Sequence, residues 1–287
     1  MTFPYESKRI PVADGLSIEA RIFGPQASDR NAVLCLHGLT RNAADFDDIA
    51  ETLSSNGLRV IALTMRGRGA SDRDPEWRNY KVEIYIHDVK KAIHALNIGP
   101  AIFLGTSLGG IITMRMNELH PELVKAVILN DVGPELAPKG LARIAGYVGK
   151  TAGVANSLED AAAQIRAINE IAFPDLDSAG WLEFARRTFR LDEDGKWRLD
   201  YDPKIADALA HNGSGADLWP AFATLQKKPT LIIRGAHSDL LSPEIVSDMR
   251  AVHDAFKFVE IPNRGHAPAL NESEAIRAIS SFLADLG

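Results

Sequence analysis

The feature that most constrains this 287-residue chain is a rhythm. Short β-branched runs alternate with amphipathic helical stretches, break off after Pro134, and resume near Thr230. Buried runs at residues 32–36, 58–63, 101–104, 124–129, 230–233 and 256–261 read as strands. Between them, Phe46, Ile49 and Leu53 share one helical face, and Ile86, Val89, Ile93 and Leu96 step by helical intervals. A further helix is expected over residues 108–119, ended by Pro121, and a last one carries Ile276, Ile279, Phe282 and Leu283. Strands that alternate with helices predict an α/β fold: a mostly parallel sheet, eight-stranded here, with helices on both faces. Ahead of it, Asp14-Gly15 reads as the turn of a hairpin. From Pro134 to about Gly213 the sequence shows only helical patterns, with a turn at Asp194-Gly195. The expected organisation is therefore a core of residues 1–133 and 214–287 carrying an inserted helical cap over residues 134–213.

Composition removes several classes of partner. The net charge is −6, and no basic stripe is present, so nucleic acid is not expected. No apolar run approaches the roughly 18–20 residues of a membrane span. The first ten residues show no apolar stretch of the secretory type. Cys35, the single cysteine, has no partner within the chain; a reducing cytoplasm fits that usage. With no H-E-x-x-H and no Cys/His cluster, neither metal nor cofactor is expected.

Chemistry concentrates in Gly105-Thr106-Ser107-Leu108-Gly109, a G-x-S-x-G between an expected strand and an expected helix. A sharp strand-to-helix turn pushes the serine Oγ out above the sheet, and the helix aims its first N–H groups at the place where negative charge develops. Serine is a weak nucleophile without a base. His266 follows the strand at 256–261 through a short loop, which puts it at the same carboxyl edge of the sheet as Ser107. The base in turn needs a carboxylate, and Asp131 and Asp239 both follow strands in a permitted order. Asp239 is the expected acid because it follows the next-to-last strand, with Asp131 the alternative. Leu39, after His37-Gly38, and Leu108 are the expected oxyanion donors through their backbone N–H groups. One such donor is worth about 3–4 kcal/mol of transition-state stabilisation. His37 is expected to brace its loop.

These motifs, with Arg66-Gly67-x-Gly69-x-Ser71-Asp72 and Asn130-Asp131-Val132-Gly133-Pro134, fall in an order that resembles the α/β-hydrolase superfamily over essentially the whole chain. Thr64 departs from it, since many relatives carry Asp there. The resemblance is nearest to bacterial hydrolases of small esters, including lactonase-like and carbon–carbon-cleaving members. It implies a serine hydrolase acting through an acyl-enzyme on a small-molecule ester or lactone. The Asp-nucleophile dehalogenases and epoxide hydrolases are disfavoured by Ser107. A carbon–carbon hydrolase of ring-cleavage products, gripping a carboxylate with Arg186, Arg187 or Arg190, and a slow hydrolase-derived ligand receptor are the alternatives.

Overall fold

A computed structural model describes residues 5–26, 31–149, 154–211 and 217–287. Its centre is an eight-stranded sheet built from β1 (Glu6–Pro11), β2 (Ser17–Phe23), β3 (Val33–Leu36), β4 (Val60–Thr64), β5 (Ala101–Thr106), β6 (Val124–Asn130), β9 (Thr230–Gly235) and β10 (Lys257–Ile261). The spatial order is β1-β2-β4-β3-β5-β6-β9-β10. β1 and β2 form an antiparallel hairpin over Asp14-Gly15, and β2 runs antiparallel to β4. From β4 to β10 every pairing is parallel. The carboxyl ends of β5, β6, β9 and β10 thus lie along one edge, and that is where Ser107, Asp131, Asp239 and His266 follow in the chain.

Strand periodicity divides the core into two layers. Along β3, Leu34 and Leu36 face one side while Val33 and Cys35 face the other, and all four are fully buried. The first layer packs against α2 (Val82–Ala95), α3 (Leu108–Leu119), α8 (Trp219–Ala223) and α9 (Pro243–Val252), using Val89, Ile112, Phe222 and Met249. The second packs against α1 (Asp47–Ser55) and α10 (Ser273–Ala284) through Ile49, Leu53, Ile279 and Phe282. Every helix of the core therefore spends its apolar stripe on the sheet. Among the described residues no helix is long and apolar enough to cross a membrane.

Between β6 and β9 the chain departs from the sheet. This insert holds α4 (Pro138–Tyr147), α5 (Leu158–Asn169), α6 (Ser178–Thr188) and α7 (Lys204–His211). It is not wholly helical, contrary to the sequence expectation. β7 (Phe189–Leu191) and β8 (Trp197–Leu199) pair antiparallel around Asp194-Gly195. Three-residue strands carry too little pattern to be read from periodicity; only the turn was visible. The insert has its own apolar centre, where Phe173, Trp181 and Phe184 meet ring to ring with centroids 5.5–6.4 Å apart. The expected boundary at 213/214 lies outside the described residues.

The loop after β4 is anchored by charge rather than by packing. Arg66, with no exposed side-chain surface, donates to Asp88 of α2 through Nε and Nη2, both at 2.7 Å, and to Asp74 through Nη1 at 2.6 Å. Removing Asp88 would leave two of the three bonded guanidinium N–H groups buried without acceptors, with Asp74 alone against the charge. Asp88→Ala is expected to cost about 3–5 kcal/mol in urea unfolding, and a loss below about 1 kcal/mol would contradict this account of the loop.

Candidate active site

Ser107 sits in the turn between β5 and α3 with φ 51° and ψ −115°, a region an L-residue enters only when its surroundings hold it there. Three backbone bonds do so: Ser107 N–H donates to the Asn130 carbonyl at 3.1 Å, and the Ser107 carbonyl accepts from Gly110 N–H at 2.8 Å and from Ile111 N–H at 3.1 Å. The flanking glycines are required by space. A Cβ on Gly105 would lie 2.4 Å from the Gly109 carbonyl oxygen, and one on Gly109 would lie 1.9 Å from that of Leu36. The G-x-S-x-G pattern is therefore a packing constraint between β3, β5 and the start of α3.

His266 Nε2 lies 3.0 Å from Ser107 Oγ. Its Nδ1 lies 2.8 Å from Oδ2 of Asp131, not of Asp239. Asp131 is fully buried and accepts two further bonds, from Gly235 N–H at 2.8 Å to Oδ1 and from Ser238 Oγ at 2.7 Å to Oδ2. The expected acid, Asp239, is turned away toward the insert. Its carboxylate takes a bidentate pair from Arg143 of α4, at 2.6 Å from Nε and 2.8 Å from Nη2. Burial alone would raise the Asp239 carboxyl pKa, but the Arg143 bonds and charge hold it below the usual carboxylate range. This corrects the sequence expectation: both carboxylates follow neighbouring strands, but Asp131 meets the imidazole while Asp239 is paired with a residue 96 positions away. A line running hydroxyl, imidazole, buried carboxylate is able to draw a proton from Ser107 Oγ and to stabilise the resulting imidazolium.

Three residues escaped the sequence reading although they shape the site. Ser238 aims the Asp131 carboxylate. Asn130 Nδ2 donates to Thr106 Oγ1 at 3.1 Å and to the Pro268 carbonyl at 2.9 Å, joining the serine's strand to the histidine's loop. Arg143 occupies Asp239. Asn130 stood inside a quoted motif and Ser238 directly preceded the expected acid, but nothing local marks Arg143.

The two expected oxyanion donors flank this line. Leu108 opens α3, so its N–H has no acceptor within the helix. Leu39 lies in a loop whose carbonyls are clamped. The Gly38 carbonyl accepts from His37 Nδ1–H at 2.7 Å and from Arg41 N–H at 3.2 Å, and the Leu39 carbonyl accepts from Arg68 Nε at 2.9 Å. Because the peptide is planar, holding the Gly38 oxygen also fixes the Leu39 N–H on the opposite side. His37 is fully buried, and its Nε2 accepts from Met65 N–H at 2.9 Å, which assigns it a single neutral tautomer. Of the three cap arginines, only Arg187 lines the cavity that holds Ser107 and His266. Arg186 and Arg190 are exposed and pair with Glu183 and Asp192, while Arg187 is engaged by Asp48 and Glu183.

A cavity of about 380 Å³ opens over Ser107 and His266, walled by Leu39 and Phe46 of the core and roofed by Ile144, Ile165, Phe173 and Phe184 of the insert. That is within the range of small-molecule sites.

The family model described as the alpha/beta hydrolase fold matches residues 31–273. The chain belongs to the alpha/beta hydrolase family. It is 34% identical to a 3-hydroxybutyrate-oligomer hydrolase of Cupriavidus necator, over 91% of this chain and 90% of that one. A 2-(acetamidomethylene)succinate hydrolase of Mesorhizobium japonicum is 25% identical, over 88% and 87% of the two chains. Among solved structures, an alpha/beta hydrolase from Novosphingobium aromaticivorans superposes with a TM-score of 0.92 at 37% identity, covering 99% of each chain.

Burial, reinforced by the Arg68 charge, pushes the His37 pKa down to about 3 from an ordinary value of 6.5. At pH 5 about 1% of His37 should then carry a second proton. Nitrogen NMR of the histidine-labelled protein is expected to show His37 neutral, with its proton on Nδ1, from pH 8 to pH 5. A His37 that titrates near 6.5 would contradict the bonding described here.

Proposed function

We propose that this hydrolase cleaves small carboxylic esters, oligomers of short hydroxy acids foremost among them, through an acyl-enzyme on Ser107. The observation that carries the reading is the Ser107–His266–Asp131 line, with hydrogen bonds of 3.0 and 2.8 Å, at the floor of the cavity. The substrate class is supported by the 34% identical relative named for hydrolysis of 3-hydroxybutyrate oligomers and by a cavity whose roof is largely aliphatic and aromatic. Lactones present the same electrophilic carbonyl and belong to the same proposal.

In the proposed mechanism His266 Nε2 takes the proton as Ser107 Oγ attacks the ester carbonyl. Asp131 holds the imidazole by Nδ1–H and offsets its positive charge. The backbone N–H groups of Leu39 and Leu108 receive the oxyanion. His266 then passes its proton to the leaving alcohol. In the second half it takes a proton from water, which attacks the acyl group, and returns it to Ser107 Oγ as the acyl–oxygen bond breaks and the acid leaves. No step requires a cofactor or metal. Arg187 lines the cavity, but its guanidinium is paired with Asp48 and Glu183, and Arg186 and Arg190 are exposed; this favours the ester reading over carbon–carbon hydrolysis of a carboxylate-bearing ring-cleavage product.

Ser107→Ala is expected to abolish labelling by a fluorophosphonate while keeping the wild-type unfolding profile; persistent labelling of the cavity would remove Ser107 from its role. Asp131→Asn should lower kcat by about 10⁴, whereas Asp239→Asn should cost at least tenfold less; the opposite ranking in steady-state assays would return the acid to Asp239. A panel of 3-hydroxybutyrate dimer and trimer, p-nitrophenyl esters, simple lactones and a coloured ring-cleavage diketone tests the substrate. The hydroxy-acid esters are expected to give the highest kcat/KM. Fastest turnover of the diketone would overturn the ester reading, and turnover far below about 1 s⁻¹ on all of them would mark a ligand receptor.

A further inference from the structure

The loop from Gly38 to Asn42 is fastened to two bodies. Its first half is held by the core, through His37 and Arg68 as described. Its second half reaches into the insert. Asn42 Nδ2 donates to the Arg187 carbonyl at the end of α6, at 3.1 Å, and to Asp200 Oδ2 at 3.3 Å. Arg41 is oriented by Asp45, which accepts from Nε at 2.8 Å and from Nη2 at 2.5 Å. That leaves Nη1 to donate to Thr188 Oγ1. The Thr188 hydroxyl donates its own proton to the Phe184 carbonyl at 2.7 Å, so its oxygen faces Arg41 as an acceptor. The Arg41 guanidinium also lies 4.5 Å from the Phe184 ring centroid.

The end of α6 is itself pinned to the core. Arg187 makes a bidentate pair with Asp48 of α1, Nη1 to Oδ2 at 3.0 Å and Nη2 to Oδ1 at 3.1 Å. Asn271, five residues after His266, donates to the same Asp48 Oδ2 at 3.3 Å. One carboxylate at the start of α1 thus gathers the insert and the histidine's loop. Thr188 is buried, and the Arg187 side chain keeps only 17% of its exposure, so this pair is worth more than an ion pair in open water.

We propose that Arg187 and Thr188 are positioning residues for the oxyanion donor at Leu39, acting through Asn42 and Arg41, so that the hole is complete only while α6 is docked on Asp48. The proposal rests on the serine-hydrolase reading. A residue that merely walls the cavity weakens ground-state and transition-state ligands alike. One that sets a donor weakens the transition state selectively.

The experiment compares wild type with Arg187→Met, Arg187→Lys and Thr188→Val. It measures kcat and KM on a short p-nitrophenyl ester, the Ki of a boronic acid that forms a tetrahedral serine adduct, and the Ki of the product carboxylic acid. In Arg187→Met and Thr188→Val, kcat/KM should fall about 10- to 100-fold, less than full loss of a donor. The boronate Ki should rise by the same factor, and in Thr188→Val, which changes no charge, the product-acid Ki should stay within about twofold; Arg187→Met also removes a cation from the cavity wall and is read on kcat/KM and the boronate. Arg187→Lys should recover part of the loss. If Arg187→Met does not fold, Thr188→Val decides alone. Parallel weakening of boronate and product acid in Thr188→Val, or an unchanged kcat/KM, overturns the proposal. A wild type that neither turns over esters nor binds the boronate removes the serine-hydrolase reading and this one with it, and is told apart by failing before any variant is compared.

Discussion

The carboxylate of Asp131 is the interaction on which the site depends. It is fully buried and accepts from the β9 turn through Gly235 and Ser238 and from the histidine's loop through His266. Each is a charge-assisted bond. Loss of the carboxylate would leave two N–H groups and a hydroxyl without their acceptor, each buried one at a cost of about 1–3 kcal/mol. Three segments, following β6, β9 and β10, are therefore fastened at one point, and the imidazole is held with Nε2 toward Ser107. Asn130, the preceding residue, repeats the device with its amide, which bridges Thr106 and Pro268.

The parts legible in the sequence are those set by local sterics and short-range periodicity. The strands, the main helices and the serine turn all follow from residues within a few positions of one another. The collisions that a Cβ would cause at Gly105 and Gly109 show why G-x-S-x-G is readable at all. His266 was legible because a short loop leaves it no other edge of the sheet to occupy. The carboxylate was not. Asp131 and Asp239 both follow strands of the same sheet edge, and the partner that engages Asp239, Arg143, comes from a helix whose docking no local pattern encodes. The β7–β8 hairpin escaped for another reason: three residues per strand carry almost no period.

The insert contributes more than a roof. Its first helix engages Asp239, and its third is clasped to Asp48 and reaches Arg41 and Asn42. Its turn after α5 meets the histidine's loop, where the Ala172 carbonyl accepts from Gly265 N–H at 2.8 Å and Arg264 pairs with Asp175. Most of these contacts are polar and sit at the boundary between two apolar layers, where direction counts for more than area. Burial makes the insert and the sheet stable; the polar contacts fix how one sits on the other.

The central claim, that Asp131 and not Asp239 governs the imidazole, is tested most directly by proton NMR of the His266 Nδ1–H. A hydrogen bond to a buried carboxylate should give a low-field resonance, protected from exchange. It should be present in wild type and in Asp239→Asn and absent in Asp131→Asn. A resonance that survives in Asp131→Asn and disappears in Asp239→Asn would contradict it.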